Sequence, residues 1–142
     1  VSLLSVNDAP VGEQVLDSEL AATMREMMTH ATRAGGTATR AAISSYDVAG
    51  KTGTVHKVGK FGYEKNRYVS MFAGMVPADN PRLVTVVVID DPRGDDYFGG
   101  AVAAPVFSEV TADALRMLKI PPSLENVQQE VVLNNRKPGD AT

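Results

Sequence analysis

Lys51, Thr52, Gly53 and Thr54 stand together in "VAGKTGTVHKVG", residues 48–59, and put an ammonium group, two hydroxyls and a bare backbone into one short run. An ammonium attracts a carboxylate and hydroxyls can complete the grip, while an extended chain laid along an exposed strand edge gains main-chain hydrogen bonds. The run suits a peptide that ends in a carboxylate. Side chains alternate along a strand, so Lys51 and Gly53 face one way and Thr52 and Thr54 the other. Gly53 would weaken the middle of a strand unless another backbone or a ligand comes close there. The same four residues also meet in ordinary edge strands, so K-T-G alone assigns no function.

The elements around this run follow from periodicity. In "LDSELAATMREMMTHAT", Leu20, Met24, Met27, Met28 and Ala31 recur at helical spacing behind Asp17, a suitable N-cap, which predicts a helix from Ser18 to Arg33 with the methionine stripe in the core. Gly35 and Gly36 allow the backbone that ends it. Three strands follow: "DVAGKTGTVHKV", "YVSMFAGMVPA" from Tyr68, and "RLVTVVVIDDP" from Arg82. "PADNP" between the last two is turn chemistry, which predicts an antiparallel hairpin. Leu83–Ile89 is apolar almost without alternation, the pattern of a strand covered on both faces. A second helix is expected over "GAVAAPVFSEVTADALRMLK", with Val102, Val106, Val110, Leu115 and Leu118 as its apolar stripe and Pro105 tolerable only in the first turn. From Ile120 onward, Pro, Asn, Gln and charge predominate, which predicts a loose tail with at most one docked turn. The fold class expected is α+β, an antiparallel sheet flanked by helices, with residues 1–120 as one unit and 121–142 as the tail.

Composition narrows the function. The 142 residues carry a net charge of −3, and the basic residues are scattered, so nucleic-acid binding lacks electrostatic support. Leu83–Ile89 is far shorter than the roughly 20 residues of a membrane helix. The chain has no cysteine, which removes disulfides, thiol catalysis and thiolate metal sites. Its two histidines, His30 and His56, lie in different elements, so neither a metal site nor a cofactor is expected. The opening "VSLLSVNDAP" reads as the continuation of a longer chain.

Together, "VAGKTGT", "GYEKNRYVSMFAGMVPADNPRLVTVVVIDDP" and "YFGGAVAAPVFSEV" resemble the C-terminal part of the transpeptidase domain of class B penicillin-binding proteins, the division-type members most of all. The resemblance runs from about "VLDSELAATMREMM" through "ALRMLKIPP", and implies the penicillin-binding and serine beta-lactamase-like fold. Family members carry S-x-x-K, S-x-N and K-T-G signatures. Only K-T-G is secure here: no serine has lysine three residues on, and the formal S-x-N at Ser5–Asn7 sits ahead of the first helix, where the family has no such motif.

What the resemblance implies for single residues is specific. Lys51 would face the cleft, support the proton network of the serine motifs and draw in the substrate carboxylate, which Thr52 and Thr54 would bind through their hydroxyls. The Thr54 N–H would be one oxyanion donor, making Lys51 and Thr54 the catalytic pair of this chain. Gly53 would let the scissile carbonyl approach, Tyr68, Tyr97 and Phe98 would form an aromatic wall, and Gly99 and Gly100 would turn the loop. His56 is expected at the rim. The activity implied is serine acyl transfer on D-Ala-D-Ala stem peptides of peptidoglycan, blocked by beta-lactams, in the periplasmic domain of a bacterial inner-membrane protein. Its partners would be divisome proteins and the upstream half of its own domain. An elongation transpeptidase, a carboxypeptidase, a beta-lactamase or a non-catalytic penicillin-binding scaffold would share the K-T-G strand.

Overall fold

Asp17 starts the first helix by accepting the backbone N–H groups of Glu19 and Leu20 at 2.9 and 3.2 Å. The structure, a computed structural model, describes residues 12–123. Ser5–Asn7 and all of the expected tail beyond Ser123 lie outside the described residues. Helix α1 spans Ser18–Thr29, four residues shorter than its periodicity predicts. The Thr32 hydroxyl is shared between the carbonyls of Thr29 and Val48 at 3.0 and 2.8 Å, an exchange of helix bonding for a bond to the start of the first strand.

Three antiparallel strands follow in the order β1 (Ala49–Gly59), β2 (Gly62–Val76), β3 (Leu83–Asp90). The β1–β2 pairing sets Lys51 opposite Ala73, Gly53 opposite Met71 and Thr54 opposite Ser70. β2 begins six residues ahead of Tyr68, because the polar segment Gly62–Arg67 folds back beside the end of β1, with Gly62 opposite Gly59 and Tyr63 opposite Val58, as a two-stranded ribbon that extends past β3. Backbone pairing holds that ribbon, so it has no apolar alternation to announce it. The turn after Val76 returns the chain to Leu83 as expected, closed by Arg82 N–H to Val76 O at 3.0 Å.

Helix α2, Gly99–Met117, lies across one face of the sheet. Its buried residues are Gly99, Ala103, Ala104, Phe107, Thr111 and Leu115, so of the expected stripe only Leu115 is buried: Val102 is half-buried, and Val106, Val110 and Leu118 are exposed. Residues 102–107 are apolar on every side, so periodicity cannot choose a face, and the helix turns its two alanines inward so that it can approach closely. Phe107 then meets Phe72 edge-on at 4.8 Å, with Val48, Val76 and Leu115 completing the core. Pro105 sits inside the helix rather than in its first turn. After α2, residues 120–123 dock on the loop before β1, where Tyr46 OH donates to Ile120 O at 2.6 Å and Asp47 N–H to Ser123 Oγ at 3.0 Å.

Two expected burials are absent among the described residues. On β3, Leu83, Thr85, Val87 and Ile89 face α2, but Val84, Val86 and Val88 are 72%, 60% and 56% exposed on the opposite face. Leu20, Met24 and Met27 of α1 are likewise about half exposed or more. An apolar run marks a face that favours burial without supplying the element that covers it. The 142-residue chain produced alone is therefore expected to self-associate and bind a hydrophobic dye, as read by sedimentation and dye fluorescence. A monomer with a sharp two-state thermal transition would contradict this.

Candidate functional site

β1 is an edge strand, with β2 on one side and no strand on the other among the described residues. Lys51 is exposed on the sheet face away from α2, and its Nζ donates to Thr52 O at 3.1 Å. The two threonines turn toward α2, as strand alternation predicts. Thr52 Oγ1 lies 3.4 Å from Thr37 Oγ1, and Thr54 Oγ1 accepts the Gly99 N–H at 3.0 Å. A hydroxyl held by a donor at its oxygen still has its own proton to give, so the Thr54 O–H is oriented and available for an acceptor.

Gly99 makes this contact by proximity, not by turning a loop. It is the first residue of α2, and a Cβ there would lie 2.2 Å from Met71 O and 2.5 Å from Gly53 O. A Cβ on Gly100 would likewise lie 2.0 Å from Thr37 O. Both glycines are needed for space, because a backbone carbonyl occupies the place a Cβ would take. Gly53 is less constrained, since a Cβ there would meet the flexible end of Met71 at 3.1 Å.

The aromatic residues assemble on the same side of β1 as the threonines. Tyr68 stacks on Tyr97 with ring centroids 4.0 Å apart and planes 11° from parallel. His56 extends the row beyond Tyr68 at 4.6 Å and Phe98 extends it beyond Tyr97 at 4.4 Å. Phe98 is 57% exposed, so it does not serve the core. Burial, helped by Tyr97, raises the Tyr68 hydroxyl pKa above its ordinary value. Thus Thr52, Thr54, Tyr68, Tyr97, Phe98 and Gly99 are brought together with His56, while Lys51 stands on the opposite face of the same strand.

Residues that spacing does not single out hold this arrangement. The buried Ser70 hydroxyl donates to Tyr97 O. Asp91, at a φ of +54°, accepts Arg67 Nη2 at 2.9 Å and Arg93 Nη2 at 2.8 Å, and its N–H donates to Tyr68 O at 2.8 Å. Hydrogen bonding from Arg67, foremost, keeps the Asp91 carboxyl below the ordinary carboxylate range. No motif announces these contacts in the sequence, since apart from Arg93, two residues from Asp91, each partner lies more than 20 positions away. A surface cavity of about 290 Å³ between α1 and the turn after β2 is lined by Arg25, Glu26, Arg33, Asp47 and Asp79, and includes none of the expected site residues. Among the described residues, no group of three or more His, Cys, Asp or Glu could hold a metal ion.

A family model described as the penicillin binding protein transpeptidase domain matches residues 1–112. The chain is 42% identical over 115 residues to the probable peptidoglycan D,D-transpeptidase PenA of Neisseria flavescens, covering 81% of this chain and 29% of that protein. It is 41% identical over 122 residues to the peptidoglycan D,D-transpeptidase FtsI of Escherichia coli K12, covering 86% and 21%. The apo transpeptidase domain of Burkholderia pseudomallei penicillin-binding protein 3 superposes with a TM-score of 0.74 at 38% identity, over 84% of this chain and 36% of that one. The chain thus spans less than a third of the length of these two curated relatives.

Two outcomes follow from the geometry. Gly99→Ala forces a Cβ against two backbone carbonyls, so it should cost about 1–3 kcal/mol, the usual range for overpacking, measured by denaturant unfolding of the full-length protein; unchanged stability would refute the close approach. The depressed Asp91 pKa means its contribution is complete above the ordinary carboxylate value and is lost as pH falls through the lowered one. Melting temperature followed from about pH 6 to about pH 2 should show an acid limb that Asp91→Asn flattens.

Proposed function

The chain belongs to the penicillin-binding protein transpeptidase family, and on that premise we propose that the protein it forms part of is a peptidoglycan D,D-transpeptidase of the division type. The observation that carries the reading is an open K-T-G-T edge whose Thr54 hydroxyl is oriented by the Gly99 N–H beside an aromatic row. A stem peptide lies along the free edge of β1. Its terminal carboxylate accepts hydrogen bonds from the Thr52 and Thr54 hydroxyls and is attracted by the Lys51 ammonium. Gly53 leaves room for the scissile carbonyl, and Tyr68, Tyr97 and Phe98 border the groove.

No serine in this sequence precedes a lysine by three residues, so the attacking hydroxyl comes from outside it. That oxygen yields its proton to a neighbouring base as it adds to the carbonyl carbon of the D-Ala-D-Ala bond, and negative charge moves to the carbonyl oxygen. The Thr54 N–H, with a second N–H beside the nucleophile, meets that charge with donors already in place. Collapse breaks the C–N bond, the departing D-Ala nitrogen takes a proton, and the stem stays as an ester on serine. An amine of a neighbouring stem displaces the ester, and the serine oxygen recovers its proton. In a beta-lactam the same attack opens the ring, so the leaving nitrogen stays tethered and the ester persists. Lys51 supports the proton movements from the outer face of β1.

The site is assigned to the periplasmic face of a bacterial inner membrane, with divisome proteins as partners. No helix among the described residues is long and apolar enough to cross a membrane. Exposure of the full-length protein to a penicillin should add one covalent adduct by mass, stable over the assay. No adduct would indicate a binding scaffold, and rapid release a beta-lactamase; either refutes the transpeptidase reading. Lys51→Ala should slow acylation by roughly a hundredfold, the usual size of losing one such electrostatic group, with melting temperature nearly unchanged. Unaltered acylation would reduce Lys51 to a strand residue.

A further inference from the structure

Proline has no N–H and its ring crowds the carbonyl four residues back, so Pro105 leaves Ala101 O inside α2 without an intrahelical donor. Arg40 supplies one, with Nη1 donating to Ala101 O at 3.1 Å. Charge alone does not favour this position, because the positive end of the helix dipole lies at the first turn and opposes a cation there. The freed carbonyl is what gives the guanidinium a partner. Arg40 sits in a short 3₁₀ turn, Thr39–Ala41, and the residues around that turn meet α2 and β1 at three further points. Thr37 O abuts Gly100, Thr37 Oγ1 lies 3.4 Å from Thr52 Oγ1, and Ser108 Oγ donates to Ala42 O at 2.8 Å.

We propose that Arg40 is a positioning residue for the acyl-transfer site: by holding the carbonyl of Ala101 that Pro105 frees, it fixes the first turn of α2 and, through it, the Gly99 N–H that orients the Thr54 hydroxyl. The inference rests on the reading of Thr54 as a carboxylate ligand. Without the brace, the turn from Gly99 to Ala101 would keep its close seat on the sheet but lose its side anchor, and the Thr54 hydroxyl would sample orientations other than the one that meets substrate. A carboxylate contact is made before and during acylation alike, so its loss weakens the non-covalent complex more than it slows the chemical step.

The test is a cycle of variants in the full-length protein. Arg40→Met removes the donor, and Pro105→Ala restores the intrahelical N–H that makes the donor unnecessary. Arg40→Met should raise the dissociation constant of the initial benzylpenicillin complex about three- to tenfold, the scale of one ordinary hydrogen bond, with the acylation rate constant nearly unchanged. Amide exchange across residues 98–104 should accelerate in the same variant. Adding Pro105→Ala should return both measures toward those of the unaltered protein. Penicillin affinity and exchange that stay at the unaltered values in Arg40→Met would overturn the proposal, as would a loss that Pro105→Ala fails to restore. If the unaltered protein takes no penicillin, the reading of the site and the positioning role fall together, while amide exchange still reports whether Arg40 braces the turn.

Discussion

A backbone approach too close for any side chain governs this molecule: the start of α2 rests on β1 and β2 where a Cβ at Gly99 would lie 2.2 Å from Met71 O. Only glycine permits such a seat, and the rest of the site is built from it. The Gly99 N–H reaches Thr54, Phe98 is delivered to the rim one residue earlier, and the inward face of the helix comes within reach of Phe72. The small side chains of Ala103 and Ala104 continue the same approach along the helix, so one steric condition serves both core packing and the arrangement of the strand's hydroxyls.

The contacts that hold the aromatic row are polar and distant in sequence. Ser70 is fully buried, and a buried hydroxyl without a partner costs on the order of 1–3 kcal/mol, so its bond to Tyr97 O is strongly favoured over any open alternative. The Asp91 carboxylate collects Arg67 and Arg93 while its own N–H holds Tyr68 O. Both ends of the loop that carries Tyr97 are therefore tied to β2, and the stacking of Tyr97 on Tyr68 follows from two backbone anchors as much as from the rings themselves.

The described residues also show a division between their two sheet faces. The face toward α2 is packed around Phe72, Val76 and Phe107. The other bears Lys51, Gly53, Val84, Val86 and Val88, a cation beside an exposed apolar surface. The chemistry proposed for Lys51 therefore belongs to a surface of unlike character from the one that orients Thr54, and the strand edge between them is where the two sets of groups can act on one peptide.

By itself, the sequence determined the elements and the candidate strand. The Asp17 cap, the turn chemistry of "PADNP" and the apolar run from Leu83 each declare a local conformation through neighbours a few residues away. Alternation along "KTGT" already separated Lys51 from Thr52 and Thr54. The tertiary structure decided what those elements touch. Which side of the all-round apolar segment 102–107 would face the sheet, how Pro105 could sit inside a helix, and why Gly99 and Gly100 are glycines depend on Phe72, Arg40, Met71 and Thr37, which lie at least 27 positions away. Local sequence sets backbone propensity over a turn or a strand; steric exclusion and hydrogen-bond satisfaction act between whatever surfaces the finished fold brings into contact.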